Sequence, residues 1–271
     1  MKNKIRVSFI GCGNMARAII ESMTDLAAKA AFKANGDVLE VIAVDRHESK
    51  LMQIRDRCKT TFDRNEAVQN SDYVFLAVKP QSAEEAVDSL DLSQKIVISI
   101  MAGYTVEKLK ALTGSNKIVR VMPNLNAFVG ESYNAYVASG LDIEQIRVVQ
   151  SLLGSFGIFR EVAETDMDAV TGIAGSGPAF VFMTVKAFYD EARARGCDHA
   201  TAKQMAVHTV LGSVLTVEKS TDDFDALVEK VCSKGGTTIQ GVNYLNEKDY
   251  VNTIRTAISK SIERARQMSE Q

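Results

Sequence analysis

The amino-acid sequence predicts an α/β domain with a parallel sheet over residues 1–163 and an all-helical domain over residues 164–271. The first 160 residues alternate short β-branched runs with helical stretches, which is typical of βαβ units. From about Thr165 onward, long helical patterns follow with hardly any strand-like run. At 271 residues the chain is long for one hydrophobic core and about right for two unequal domains.

Six apolar runs are the candidate strands of the first domain. They are IRVSFI (5–10), LEVIAV (39–44), YVFLAV (73–78), KIVISI (95–100), KIVRVM (117–122) and SYNAYVA (132–138). The later runs are almost wholly apolar, as expected of strands that helices cover on both faces. Between the first two runs, one apolar face at helical spacing predicts a crossover helix, formed by Met15, Ala18, Ile19, Met23, Leu26 and Ala30.

The second domain is predicted to consist of five helices. Their expected bounds are 165–195, 199–219, 222–231, 235–246 and 250–267. We find no internal repeat and no low-complexity tract that would indicate another architecture.

Composition and charge exclude several classes of protein. With 46% hydrophobic and 24% charged residues, the chain has the composition of an ordinary globular protein rather than a disordered one. The formal net charge is −2 and no run of Lys and Arg occurs, so we expect neither nucleic acid nor a membrane as a partner. The longest uncharged segment, 169–185, is shorter than the roughly 20 residues of a spanning helix.

The cysteines and histidines form no recognisable chemical motif. Four cysteines lie far apart without a CxxC pair or a neighbouring histidine, and the three histidines are scattered, so no metal site is predicted. Free thiols fit a reducing compartment, and the opening MKNKIRVSFIG lacks the small-residue cleavage site of a signal peptide. We therefore expect a cytoplasmic protein.

The stretch GCGNMA at 11–16 has the GxGxxG/A form between a predicted strand and a predicted helix. The backbone must turn tightly at Gly11, admit a pyrophosphate at Gly13 and let the helix pack closely at Ala16. Free N–H groups at the helix start favour phosphate charge. This context indicates a Rossmann dinucleotide-binding domain, whereas a tight turn without a ligand is the structural alternative.

The residues after the second strand bear on which dinucleotide binds, and they disagree. Asp45 is suited to accept a hydrogen bond from the ribose 2′-hydroxyl of NAD. The cations Arg46, His47 and Lys50 are suited to hold the 2′-phosphate of NADP. We favour NADP(H), with NAD(H) possible, because the cation Arg46 directly follows Asp45 at the end of the strand.

Four further strings carry a resemblance to a known family: FLAVKPQ (75–81), VMPN (121–124), GSGPAF (175–180) and SKGGTTIQG (233–241). Together with FIGCGNMA they resemble pyrroline-5-carboxylate reductase, and the similarity covers nearly the whole chain. It implies a Rossmann domain followed by a helical dimerisation and substrate-binding domain, in a homodimer or a higher assembly of dimers. It also implies hydride transfer from NAD(P)H to the C=N carbon of 1-pyrroline-5-carboxylate, which gives L-proline.

The resemblance places the substrate-binding site at the string SKGGTT (233–238). The N–H groups of Gly236, Thr237 and Thr238 at a helix start are suited to the substrate carboxylate, and Ser233 can add a hydroxyl. The Thr238 hydroxyl is the catalytic candidate, as a donor to the ring nitrogen. The alternative is that Thr237 and Thr238 only cap their helix.

Other candidate contacts follow from the motifs, from their positions in the chain and from the resemblance. For the cofactor these are Gly11, Gly13, Asn14, Met15, Ala16, Arg46, Ala77, Val78, Lys79, Pro80 and Ala102. Glu164, just before the helical domain, is a substrate candidate. Taken singly, Lys79 also fits a solvated loop residue, and Glu164 also fits an exposed acid at a helix start.

Two departures from the family pattern concern the substrate. The chain reads PNLN where the family usually reads Pro-Asn-Thr-Pro, at Leu125 and Asn126, and Lys234 replaces a proline.

Two rival functions remain as alternatives. A β-hydroxyacid dehydrogenase would need a catalytic lysine near the domain junction, but Lys186 lies far past the glycines. A non-catalytic nucleotide-binding paralogue with a regulatory role would not need the intact Gly-Thr-Thr string.

Overall fold

The computed structural model describes residues 3–270 and contains eight strands in that range. The strands are β1 (Asn3–Ile10), β2 (Asp37–Val44), β3 (Lys59–Thr61), β4 (Tyr73–Leu76), β5 (Ile96–Ser99), β6 (Ile118–Met122), β7 (Ser132–Ser139) and β8 (Gly157–Glu161).

Thirteen α-helices lie in the same part of the chain. They are α1 (Asn14–Met23), α2 (Leu26–Ala34), α3 (Glu48–Leu51), α4 (Arg64–Gln69), α5 (Ala83–Val87), α6 (Val106–Thr113), α7 (Ile143–Gly154), α8 (Met167–Val170), α9 (Gly177–Ala194), α10 (His199–Lys219), α11 (Phe224–Val231), α12 (Thr237–Glu247) and α13 (Tyr250–Glu270). No helix within residues 3–270 combines the length and apolar character needed to cross a membrane.

All eight strands form one sheet in the order β3-β2-β1-β4-β5-β6-β7-β8. Strands β1 to β6 pair in parallel, as predicted. Strand β7 runs antiparallel to β6, and β8 pairs in parallel with β7. The strand order reverses between β1 and β4. The carboxyl ends of these two neighbouring strands therefore border a crevice at one edge of the sheet.

Two apolar clusters cover alternate residues of the central strands. One contains Phe9 and Phe75, whose rings stack with centroids 4.4 Å apart. The other contains their chain neighbours Ile10 and Leu76. Because successive side chains of a strand point to opposite faces, the sheet is covered on both sides. All residues of β4, β5 and β6 are buried, which confirms the expectation drawn from their apolar sequences.

The predicted crossover helix between β1 and β2 is wrong in one respect, because it is two helices. Asp25 begins the second of them, its side chain accepting a hydrogen bond from Ala28 N at 2.7 Å. The new helix direction leaves Leu26 exposed by 88%, and Ala30 is exposed as well. The N-cap therefore overrides the continuous apolar spacing.

The structure divides into two compact units. The first comprises the residues up to Ser176 together with those from Ser261 onward, and the second is Gly177–Lys260. The polypeptide thus leaves the first unit after Ser176 and returns to it within α13. A domain boundary between residues 163 and 164 stays a prediction.

The final turns of α13 pack within the first unit. A Cβ added at Gly103 would lie 2.8 Å from Met268 O, and one at Gly172 would overlap Ile262. Lys108 Nζ donates to Ser269 O at 2.6 Å. Ser269 Oγ donates to Asp168 Oδ1 at 2.7 Å. Two glycines, a helix-end carbonyl and a serine thus fix this helix end.

The segment 165–195 is not the single helix that the sequence predicts. It contains a 3₁₀ turn at Glu164–Asp166, then α8, a π-helical turn at Thr171–Gly175, and α9. Ser176 N and Oγ both approach Thr171 O, at 3.0 and 3.2 Å. The GSGP string therefore changes the helix winding at this point.

The second unit buries little of its apolar surface. Within residues 177–260 only Ala192, Ala202 and Ala206 are buried. Large apolar side chains are exposed on several of its helices, including Phe182 (53%), Met183 (69%), Val214 (58%), Phe224 (74%) and Val251 (66%). Surface of this kind is typical of an association interface.

Candidate functional site

The glycine turn after β1 lies beside the end of β4. Gly11 has φ +98°, and an added Cβ would lie 2.8 Å from both Ala77 O and Val78 Cγ1. Gly11 N donates to Val44 O at 2.8 Å. Only glycine fits this backbone conformation and this close approach. The candidate residues Gly11, Ala77 and Val78 are thus brought together at the crevice where the strand order reverses.

The start of α1 leaves room for an anion. Gly13 is its N-cap and has no side-chain cap, and an added Cβ there would meet nothing within 4 Å. Asn14 is exposed, Met15 is half-buried and Ala16 is buried against the sheet. No N-cap side chain occupies the first-turn N–H groups of α1, so they are suited to a pyrophosphate.

Asp45 at the end of β2 is fully engaged by the protein. Its Oδ2 accepts from Cys12 N at 2.9 Å and from Lys50 Nζ at 3.1 Å. Its Oδ1 accepts from His47 N at 2.9 Å and lies 3.0 Å from His47 Nδ1. A carboxylate offers about four acceptor positions, and these contacts use all of them.

The electrostatics of Asp45 agree with this geometry. Burial raises the pKa of Asp45, but the hydrogen bonds from Cys12, His47 and Lys50 outweigh burial and lower the pKa to about 2. Burial, followed by the neighbouring Asp45 charge, raises the pKa of the Cys12 thiol to about 12. Asp45 is therefore an ionised anchor between the glycine turn and the segment after β2, and Cys12 is an unreactive thiol.

Arg46 projects from the same strand end. Its NH1 pairs with Glu85 Oε1 at 2.9 Å, and both side chains are 67% exposed. Because exposed ion pairs contribute little, a doubly charged phosphate can compete with Glu85 for Arg46. Neither Glu85 nor the anchoring role of Asp45 was identified from the sequence, since both depend on contacts between separate segments.

The residues after β4 border a groove of about 870 Å³ in the first unit. Pro80 and Ala102 line it, together with Tyr104, Lys108, Arg264 and Met268. The Tyr104 hydroxyl donates to Pro80 O at 3.3 Å, linking the loops after β4 and β5. Lys79 is exposed and precedes the 3₁₀ turn Pro80–Ser82. Ala77, Val78, Pro80 and Ala102 thus lie near one edge of the sheet, as the cofactor assignment requires.

Glu164 binds a buried arginine. Arg120 on β6 is 2% exposed, and its NH1 donates to Glu164 Oε1 in an ion pair. Glu164 Oε2 accepts from Val106 N at 3.4 Å, at the start of α6. Arg120 Nε and NH2 are buried without a partner among the described residues. Both carboxylate oxygens of Glu164 are engaged here, and its assignment to substrate stays a prediction.

The substrate candidates lie in the second unit at the start of α12. Gly236 is the N-cap of α12 and no side chain caps it, so neither Thr237 nor Thr238 is a helix cap. Gly236 N donates to Ser233 O at 3.0 Å, and a Cβ at Gly236 would overlap Ser233 Oγ. Thr237 and Thr238 are exposed. The turn holds the Ser233 hydroxyl beside the uncapped N–H groups of the first turn, an arrangement that suits a carboxylate.

The departures from the family pattern have a local explanation at PNLN. Asn124 is buried, its Oδ1 accepts from Asn126 N at 3.0 Å, and its Nδ2 donates to Ala174 O at 3.1 Å. Asn124 therefore starts the 3₁₀ segment Leu125–Val129 without a proline and joins it to the π-helical turn. Lys234 is exposed.

Lys186, the lysine considered for a β-hydroxyacid dehydrogenase, pairs with Asp190 on the exposed surface of α9. This position gives no support to a catalytic lysine there.

Two family models match the chain. One, described as pyrroline-5-carboxylate reductase dimerisation, matches residues 164–268. The other, described as NADP oxidoreductase coenzyme F420-dependent, matches residues 6–103. The first model contains the α12 turn, and the second contains the glycine turn and the loops after β2 and β4.

Full-length relatives give the same family. A pyrroline-5-carboxylate reductase from Aquifex aeolicus is 35% identical over 97% of both chains. The Escherichia coli enzyme of that name is 32% identical over 98% of both. A pyrroline carboxylate reductase from Plasmodium falciparum, solved with NADP bound, matches with a TM-score of 0.87 and 28% identity over 99% of both chains. This chain belongs to the pyrroline-5-carboxylate reductase family.

Proposed function

We propose that this protein reduces 1-pyrroline-5-carboxylate to L-proline by hydride transfer from NADPH, the last step of proline biosynthesis. The observation that carries the proposal is the full-length similarity to reductases of that name, which spans both the glycine turn and the α12 turn. The uncapped first turn of α12 supports it, because the substrate is a small anion.

Each candidate group has a separate task in this reaction. The N–H groups of Gly236, Thr237 and Thr238 bind the carboxylate, and the Ser233 hydroxyl adds a donor. When bound, the reduced nicotinamide supplies the hydride that the C=N carbon accepts. The Thr238 hydroxyl donates to the ring nitrogen, which gains electron density as the C=N double bond becomes a single bond. A hydroxyl is a weak acid, so we expect solvent to supply the proton.

An assay of cofactor oxidation tests the proposal. Purified protein is expected to oxidise NADPH in the presence of 1-pyrroline-5-carboxylate, with L-proline as the product. Turnover of 3-hydroxyacids with NADP⁺ instead would favour the β-hydroxyacid dehydrogenase alternative. Nucleotide binding without turnover of either substrate would favour a non-catalytic regulatory paralogue.

The preference for NADPH rests on Asp45. Its acceptor positions are filled by Cys12, His47 and Lys50, so no free position faces a ribose 2′-hydroxyl. Arg46, by contrast, has no partner but Glu85 in the described part of the chain, and that pair is exposed. The strand end thus offers a cation for a phosphate rather than an acceptor for a hydroxyl.

Arg46→Ala is therefore expected to weaken NADPH binding by about tenfold to a hundredfold, with little effect on NADH. A charge-assisted contact contributes roughly 1.5–3 kcal/mol, and only NADPH carries the phosphate. Titration of both cofactors, with the exposed Arg55→Ala as the control variant, measures the difference. Equal losses for the two cofactors would remove Arg46 from the phosphate site.

The protein is also proposed to form a homodimer or a higher assembly of dimers. The matched dimerisation model and the exposed apolar side chains of residues 177–260 both support association through the helical unit. We expect light scattering at micromolar concentration to give at least a dimer, and a stable, active monomer would contradict this. The cytoplasmic location stays a prediction from the sequence.

A further inference from the structure

A second cavity, of about 570 Å³, lies in the first unit at the early part of β1 and β2. None of the candidate cofactor residues lines it. Its lining comes from β1, β2, α2 and the segment that leads into β3: Lys4, Arg6, Thr24, Lys29, Leu39, Glu40, Val41, Ile42, Arg57, Cys58, Lys59 and Asn70. Its volume is in the range of cavities that bind small molecules.

The lining is strongly basic. It contains five cationic side chains and one carboxylate, in a chain whose formal net charge is −2. The cations come from segments up to about fifty residues apart, so no run of Lys and Arg reveals them in the sequence. This concentration of one charge sign is a property of the fold and not of the composition.

Three of the five cations have carboxylate partners. Lys4 pairs with Glu40 at 2.7 Å, Arg6 pairs with Asp72 through two hydrogen bonds of 2.9 and 2.8 Å, and Lys59 pairs with Glu66 at 2.7 Å. These pairs hold three sides of the cavity in place and neutralise the charge there.

The other two cations are Lys29 and Arg57. Both side chains are exposed, and neither has a hydrogen-bond or ion-pair partner within residues 3–270. They therefore leave two positive charges uncompensated in the lining. Beside them, Leu39, Val41 and Cys58 give the cavity an apolar part.

We propose that this cavity binds a phosphorylated small molecule, with the phosphate held by Lys29 and Arg57. A phosphate monoester carries close to two negative charges and three acceptor oxygens, which match a lysine ammonium and the planar fork of an arginine. The apolar residues of β2 then accommodate the rest of the molecule. The site is separate from the glycine turn, so its ligand does not compete with the dinucleotide for the same contacts.

Calorimetric titration with inorganic pyrophosphate tests the proposal at low ionic strength. The variant K29A/R57A removes both unpaired cations. The matched control K33A/R55A removes one lysine from the same helix, α2, and one arginine from the same segment, but neither residue lines the cavity. A second titration in the presence of saturating NADPH keeps the dinucleotide site, including the glycine turn, occupied.

With NADPH present, the wild type and K33A/R55A are expected to bind pyrophosphate alike, and K29A/R57A is expected to bind it at least tenfold more weakly. The turnover of K29A/R57A without added anion is expected to be unchanged. If K33A/R55A bound pyrophosphate as weakly as K29A/R57A, the loss would be an effect of overall charge, and the proposed site would be wrong. Loss of wild-type binding when NADPH is added would place the anion at the dinucleotide site and overturn the proposal. Absence of wild-type binding at millimolar pyrophosphate would also overturn it.

Discussion

Thr238→Ala is expected to lower kcat by about 10²–10³-fold while NADPH binding is retained. A single positioned donor to an atom that gains charge in the transition state contributes roughly 2.7–4 kcal/mol. The substitution removes the hydroxyl but keeps the backbone N–H of the first turn of α12, so the carboxylate contact survives. If the hydrogen bond strengthens as hydride arrives, the loss falls on kcat rather than on KM.

Thr238→Ser is the matched control, because it restores the hydroxyl with one methyl group fewer and should retain most of the activity. Steady-state kinetics of both variants at saturating NADPH separate kcat from KM. The exposed position of Thr238 and the absence of a side-chain cap on α12 make a loss through misfolding a poor explanation. An Ala variant within twofold of the wild type in kcat and kcat/KM would limit Thr238 to a structural role.

Glu164→Ala is expected to destabilise the protein by about 3–5 kcal/mol. Arg120 is 2% exposed and Glu164 is its only ion-pair partner among the described residues. Removing the carboxylate leaves a buried positive charge uncompensated, and it also removes the acceptor for Val106 N. Denaturant unfolding at fixed protein concentration measures the loss.

Two further variants interpret the Glu164→Ala result. Glu144→Ala breaks an exposed pair with Arg147 and is expected to cost less than about 1 kcal/mol. The double variant Arg120→Met with Glu164→Leu replaces the pair by apolar groups and is expected to recover most of the stability. If Glu164→Ala unfolded like Glu144→Ala, the Arg120–Glu164 pair would contribute nothing measurable to stability, which would contradict the prediction.

The sequence predicts best where local pattern and tertiary contact agree. Apart from Ser99 and Arg120, the residues of β4, β5 and β6 are apolar, and burial on both faces leaves these strands no alternative position. The glycine turn was predicted for the same reason, since φ +98° at Gly11 and the contact with Ala77 require glycine. Short or exposed strands were not predicted. β3 has three residues and β8 is mostly exposed, so neither carries a clear apolar pattern.

Side-chain partnerships between distant segments could not be read from the sequence. Asp45 has the position of a ribose acceptor, and only the contacts with Cys12, His47 and Lys50 show that its oxygens are engaged. Arg120 lies in an apolar strand, where periodicity gives no reason to expect a buried charge. Its partner, Glu164, is forty-four residues away along the chain. Such pairs depend on topology, which a single sequence specifies only indirectly.

The path of α13 has a consequence for any attempt to cut the protein into pieces. Because the chain leaves the first unit after Ser176 and re-enters it near Ser261, one proteolytic cleavage cannot release an intact nucleotide-binding fragment. A gene truncated after Ser176 would encode a fragment lacking the helix end that packs on Gly103 and Gly172 and binds Lys108. Isolating that unit requires excision of the intervening helices and a new covalent link to residue 261.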